Sequence, residues 1–162
     1  MNQLHWASVV VHLLAAFVWL GGMLFLGAVG APALRAVEPP ALRQRLFSDL
    51  GRRFRTVGWV AIGALLVTGI LNLHFRGWLA VMDERAFWGT VAGRALAFKL
   101  LAVLVMVVAS AVHDFVLGPR ASTVEAGSPE ALRLRRRAAL LARANAIVGV
   151  LLVVAAARLA RS

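Results

Sequence analysis

The chain has 162 residues, 61% of them hydrophobic, a mean hydropathy of +0.81 and no cysteine. So apolar a composition exceeds what a soluble domain of this size buries, and the lack of thiols excludes disulfides, thiolate metal sites and iron–sulfur clusters supplied by this chain alone. The net charge of +11 would suit a nucleic-acid partner only as a basic face on a soluble domain, whereas here the arginines are sorted by loop.

Four apolar stretches, roughly residues 6–29, 57–75, 95–117 and 139–157, each reach the ~20 residues needed to cross ~30 Å of hydrocarbon. The chain is therefore expected to be all-α, a single transmembrane domain built as an integral membrane four-helix bundle. The first stretch is preceded by no Lys or Arg and followed by no small-residue cleavage pattern, so it is expected to stay in the mature protein. Gly30, Pro32 and the Pro39-Pro40 pair are expected to close this first helix, the second proline opening the next one. Residues 41–56 place Leu42, Leu46, Leu50 and Phe54 at helical spacing between arginines, which reads as a short interfacial amphipathic helix running into span two.

The segments 30–56 and 118–138 hold most of the arginines, whereas the connection between spans two and three sets Arg85 beside Asp83 and Glu84. The positive-inside rule puts both arginine-rich segments in the cytoplasm of a bacterial inner membrane, with the N and C termini outside. Residues 121–130 read as a flexible linker. Trp6, Trp78 and Trp88 would mark one interface and Trp59 the other. Glycines at 21, 22, 27, 58, 63 and 69 would let the first two spans approach closely.

Ionisable groups inside hydrocarbon are costly and become the default functional candidates. His5, His12 and Trp19 are spaced by seven and share a face of span one; Lys99, Met106 and His113 repeat that spacing on span three, with Ser110 on the same face. Two polar seams are expected, turned toward one another. His12 and Lys99 lie about 8–9 Å inside the non-cytoplasmic surface and His74 within about 3 Å of it, so the three are expected to meet in the outer leaflet. His113, near the opposite surface, belongs with Asp114, Arg143 and Asn145 in a separate polar cluster. Two imidazoles on neighbouring helices suit haem b, for which His12 and His74 are the available axial pair, His5 or a five-coordinate haem being the alternative; Lys99 would then face a propionate. For copper, the candidate ligands are His5, His12 and His74 with Met1 nearby, and Met23 and Met106 would mark a path deeper in. A structural or assembly subunit, its histidines only bridging helices, is the third reading.

The stretch His12-Leu-Leu-Ala-Ala-Phe-Val-Trp19-Leu-Gly-Gly-Met-Leu-Phe25, followed by Pro32-Ala-Leu-Arg35, resembles the first helix of copper resistance protein D (CopD-like) domains. Arg52-Arg53-Phe54, then Thr68-Gly69-Ile70-Leu71-Asn72, and Lys99-Leu100-Leu101 at the start of span three are similar to the later landmarks of that family. The spacing of His12 to Trp19 and the early lysine in span three are also similar to HemJ-like membrane proteins, which bind b-type haem. Both resemblances imply a histidine-based redox or metal site near His12, Trp19 and Lys99. They imply membrane electron transfer through haem, or copper binding and transport, with a redox or copper-delivery partner in the membrane or periplasm; an enzymatic activity would be a haem-dependent oxidation–reduction.

Overall fold

The computed structural model describes residues 2–125 and 127–159, excepting the side chains of residues 122 and 157–159; Met1, one of the candidate copper ligands, lies outside them. Among the described residues there are helices and turns but no strand. The elements are α1 (Gln3–Phe25), a π turn (Leu26–Gly30), α2 (Ala31–Arg35), α3 (Pro40–Phe75), a 3-10 turn (Trp78–Ala80), α4 (Arg85–Gly89), α5 (Val91–Ala111), a second π turn (Val112–Leu117), α6 (Gly118–Thr123) and α7 (Pro129–Leu159).

Four helical runs, Gln3–Arg35, Pro40–Phe75, Val91–Ala121 and Pro129–Ala156, are long and apolar enough to cross a membrane. The protein is a multi-pass membrane protein. Its large apolar side chains point outward as lipid requires: Phe17 is 77% exposed and Val60 70% exposed, and in water such a surface would aggregate.

Local chemistry sets the helix ends. The Asn2 side chain accepts from His5 N–H at 2.7 Å, Thr90 Oγ1 accepts from Gly93 N–H at 2.9 Å, and Ser128 Oγ accepts from Ala131 N–H at 3.1 Å, each satisfying a first-turn donor. Gly77, at φ 71°, stops α3 in the left-handed conformation that a glycine adopts without strain. Two expected boundaries move. Gly30 and Pro32 do not close the first helix, because the π turn just before them takes up an extra residue and accommodates the proline within a continuous helical run to Arg35. The linker after span three shrinks to residues 124–128, of which Ala126 lies outside the described residues, since α6 runs to Thr123 and α7 starts at Pro129.

The amphipathic segment 41–56 forms and is continuous with span two. At 36 residues, α3 is about 54 Å long, well beyond the hydrocarbon thickness, so its first turns project past the membrane at the arginine-rich end. The first turns of α7 project beside them. Gln44 ties the two, donating to the Val124 carbonyl at 3.1 Å and accepting from Arg135, and Ala131 in the first turn of α7 is fully buried.

α1 packs along α3, and α7 lies against both α1 and α5. On α1 the facing residues are His5, Ser8, His12, Ala15, Trp19 and Gly22; on α3 they include Phe54, Gly58, Leu65, Thr68 and Phe75. These alternate in steps of three and four, the signature of a knobs-into-holes seam, here antiparallel. Trp19 lies where a Cβ on Gly58 would stand 3.7 Å from its Cδ1, and the Phe54 ring occupies the space a side chain on Gly22 would need. Close approach at glycine replaces the hydrophobic drive that lipid does not supply. Trp19, Ala61, Ile62 and Met106 are buried together at the centre, with Met23 and Leu152 packed on them.

Candidate functional site

At the arginine-poor end the α1–α3 seam is polar. His5 stacks on Phe75, ring centroids 5.1 Å apart. Ser8 Oγ donates to the Thr68 carbonyl at 3.4 Å, and His12 Nδ1 is 2.8 Å from Thr68 Oγ1. A Cβ on Gly69 would stand 3.7 Å from His12 Cε1, so the glycine gives the imidazole room. One turn on from Thr68, Asn72 Oδ1 is enclosed with no hydrogen-bond partner. Lys99 of α5, nine residues into that helix, stands at about the level of His12. Lys99 keeps much of its surface exposed.

His74 does not join the seam. It is exposed and has only a tilted ring contact with its neighbour Phe75, at 5.7 Å. The six residues from Thr68 turn it about 120° away from the seam. A haem ligated by both His12 and His74 would have to lie between α1 and α3, where the contacts His5–Phe75, Ser8–Thr68, His12–Thr68 and Trp19–Gly58 close the gap a flat macrocycle needs. An open groove of about 330 Å³ runs beside this seam, lined by residues including Ser8, Val11, Thr68 and Phe75 but by neither histidine. The residues present therefore do not fit a bis-histidine haem at this position. Nor do His5, His12 and His74 form a three-ligand metal centre: among the described residues no group of three or more His, Asp or Glu side chains is placed to hold a metal ion.

The two polar seams meet only at Trp19 and Met106, in the central cluster. That of α1 is taken up by α3, and the Ser110 side of α5 by α7, because α7 rather than α5 is the second neighbour of α1. At the bundle centre the buried Asn145 of α7 donates to Ser110 Oγ at 2.9 Å and lies 3.8 Å from Met23 Sδ. Met106, 2% exposed, packs one turn before Ser110. A thioether, an amide and a hydroxyl thus meet in the middle of an otherwise hydrocarbon interior, and Met106 lies in the cluster on which Met23 packs.

At the arginine-rich end His113 Nδ1 is 2.8 Å from Asp114 Oδ1, and Trp59 Nε1 donates to Asp114 Oδ2 at 2.9 Å. Arg55 donates to the Asp114 backbone carbonyl at 2.9 Å and lies over the Phe115 ring at 5.7 Å. In the second π turn it is Asp114 that reaches α3, and His113 pairs with this neighbouring carboxylate. The expected cluster of His113, Asp114, Arg143 and Asn145 is in fact two: Asn145 belongs to the central group, and Arg143 is exposed. Trp59 is not a simple interface marker, since its N–H is committed to the carboxylate.

Reasoning on ionisable groups alone missed Thr68, Ser8 and Trp59. The signal for Thr68 was the three-four repeat of α3, which puts it on the same face as Gly58, Ala61 and Leu65.

A family model described as Copper resistance protein D matches residues 48–159, from the projecting part of α3 to the end of α7; His5 and His12 precede the matched stretch. An uncharacterized protein of Aquifex aeolicus (strain VF5) is 38% identical over 65 residues, which cover 40% of this chain and 44% of that relative. No solved structure matches the chain.

Proposed function

The chain belongs to the copper resistance protein D family, and from that membership, together with the placement of its imidazoles and thioethers, we propose that it binds Cu(I) within a bacterial inner membrane and moves it along the bundle. The observation that carries this reading is the pair of thioethers, Met23 from α1 and Met106 from α5, brought to the bundle centre beside Asn145 and Ser110. Cu(I) is soft, is content with few ligands and prefers thioether sulfur and imidazole nitrogen. Elsewhere in a core a methionine is filler; here two of them lie between His12 toward one surface and His113 toward the other.

In this mechanism copper is the cargo. His12 takes the ion at the non-cytoplasmic side, where the outward termini and arginine-poor connection lie. The thioethers hold the ion through the low-dielectric centre, and the imidazole of His113, oriented by Asp114, receives it at the cytoplasmic end. No step oxidises or reduces the metal. Electron transfer through haem b, the first expectation from the sequence, is supported neither by the closed α1–α3 seam nor by the family match, and yields to the copper reading.

The test is Cu(I) retention by the detergent-purified full chain in competition with a chromogenic chelator, with a reduced-minus-oxidised visible spectrum on the same sample. Bound Cu(I) that falls at least tenfold in affinity in both His12→Ala and Met23→Leu/Met106→Leu supports the proposal. A haem alpha band, or copper retention indifferent to all three positions, overturns it.

A further inference from the structure

Thr68 has a single hydroxyl proton and three acceptors within reach. Its Oγ1 lies 2.6 Å from the Ala64 carbonyl, 3.4 Å from the Leu65 carbonyl and 2.8 Å from His12 Nδ1. A carbonyl oxygen only accepts, so the 2.6 Å contact with Ala64, at the short end of the O–H···O range, requires the proton to lie there. This back-bond to the preceding turn is the ordinary resting place of a helical threonine hydroxyl. With its proton committed, the Thr68 oxygen can meet His12 Nδ1 only as an acceptor. The reverse assignment, Thr68 donating to a bare Nδ1, would press the hydroxyl lone pairs against the Ala64 oxygen at 2.6 Å with no proton between them.

We infer that Thr68 is a positioning residue that holds His12 in the Nδ1–H tautomer, leaving the lone pair on Nε2 for a soft metal ion. A metal-binding histidine commonly donates its other ring N–H to a fixed acceptor, which sets both tautomer and ring orientation. Here the acceptor is a hydroxyl on the neighbouring helix. The metal half of the inference rests on the copper reading above; the tautomer half does not.

The experiment is a long-range proton–nitrogen correlation spectrum of the full chain, labelled with 15N-histidine, in nanodiscs at mildly alkaline pH and without metal. His12→Gln identifies the His12 resonances. The expected result is the Nδ1–H pattern in the wild type, kept in Thr68→Ser and lost in Thr68→Val, which has the same shape but no acceptor. Cu(I) affinity should fall about 10- to 100-fold in Thr68→Val, the range for outer-shell partners of a ligand, and recover in Thr68→Ser. An Nε2–H tautomer or an imidazolium in the wild type overturns the inference, whether or not Thr68→Val folds. An Nδ1–H pattern that depends on Thr68, with Cu(I) affinity unchanged in both Thr68→Val and His12→Gln, upholds the tautomer assignment and removes His12 from the copper reading.

Discussion

Replacing Gly149 of α7 by alanine tests whether the bundle centre is as tightly packed as its contacts imply. The new Cβ would stand 2.8 Å from Leu20 Cδ1 and 3.0 Å from Met106 Cε, where carbon atoms normally keep about 3.5–4.0 Å. Both neighbours must retreat by about 0.5–1 Å. Each is the free end of a flexible side chain, so the cost belongs in the lower part of the ~1–3 kcal/mol range for overpacking. Against it stands the gain in helix propensity from Gly to Ala, about 0.8–1.0 kcal/mol. Gly63→Ala supplies the control, since nothing lies within 4 Å of its added Cβ and only the propensity gain remains. The difference between the two variants cancels propensity and isolates packing at about 1 kcal/mol, the lower part of the overpacking range. Reversible unfolding of both in mixed detergent–SDS micelles measures it. Equal stabilities, within about 0.5 kcal/mol, would mean that α1, α5 and α7 do not meet at Gly149 and would refute the packing described here.

Three further outcomes are expected. Asn145→Leu should lower stability by about 0.6 kcal/mol and by no more than ~1.7, the range for interhelical hydrogen bonds in membranes, in the same unfolding assay; a loss above about 3 kcal/mol would mean that Asn145 holds more than Ser110 and Met23. Trp59→Phe and Asp114→Asn, combined in a double-mutant cycle, should show a coupling of at least ~0.5 kcal/mol, because the indole N–H donates to the carboxylate; additive losses would place the two apart. Met23→Leu/Met106→Leu conserves volume and should cost less than about 1.5 kcal/mol of stability per site while removing the sulfur ligands. Copper uptake into vesicles carrying this variant should then fail with the fold intact, and unimpaired uptake would dismiss the thioether path.

The four spans were legible because the bilayer imposes one length on every crossing element. The parts that project beyond it were not: residues 41–56 and 129–138 alternate arginine with leucine or alanine, a pattern shared by a helix lying on headgroups and one standing clear of them. Pro32 misled for a local reason, since a wide turn ahead of it removes the usual penalty. Among site residues, depth counting sets His12 and Lys99 at one level, but depth says nothing of azimuth, and His74 lies on the side of α3 turned away from the seam. Thr68 stood out in the Thr68-Gly69 landmark but its pairing with His12 did not: a threonine in a membrane helix usually bonds its own backbone, and only the facing imidazole makes its oxygen consequential. The pairing of seams depended on bundle order, which loop lengths and hydropathy leave open.

The unbroken course of α3 makes it a rod shared by both ends of the protein. Between Pro40 and Phe75 it contains no internal proline and no wide turn, so it has no built-in joint. A pivot of about 5° at Gly58, where Trp19 rests, would carry residue 40 through about 2 Å at one tip. The same swing would shift Thr68, and with it the hydrogen bond to His12, by a little over 1 Å in the opposite direction. Whatever grips the arginine-bearing tip therefore has leverage on the imidazole at the far mouth without any signal passing through the bundle core.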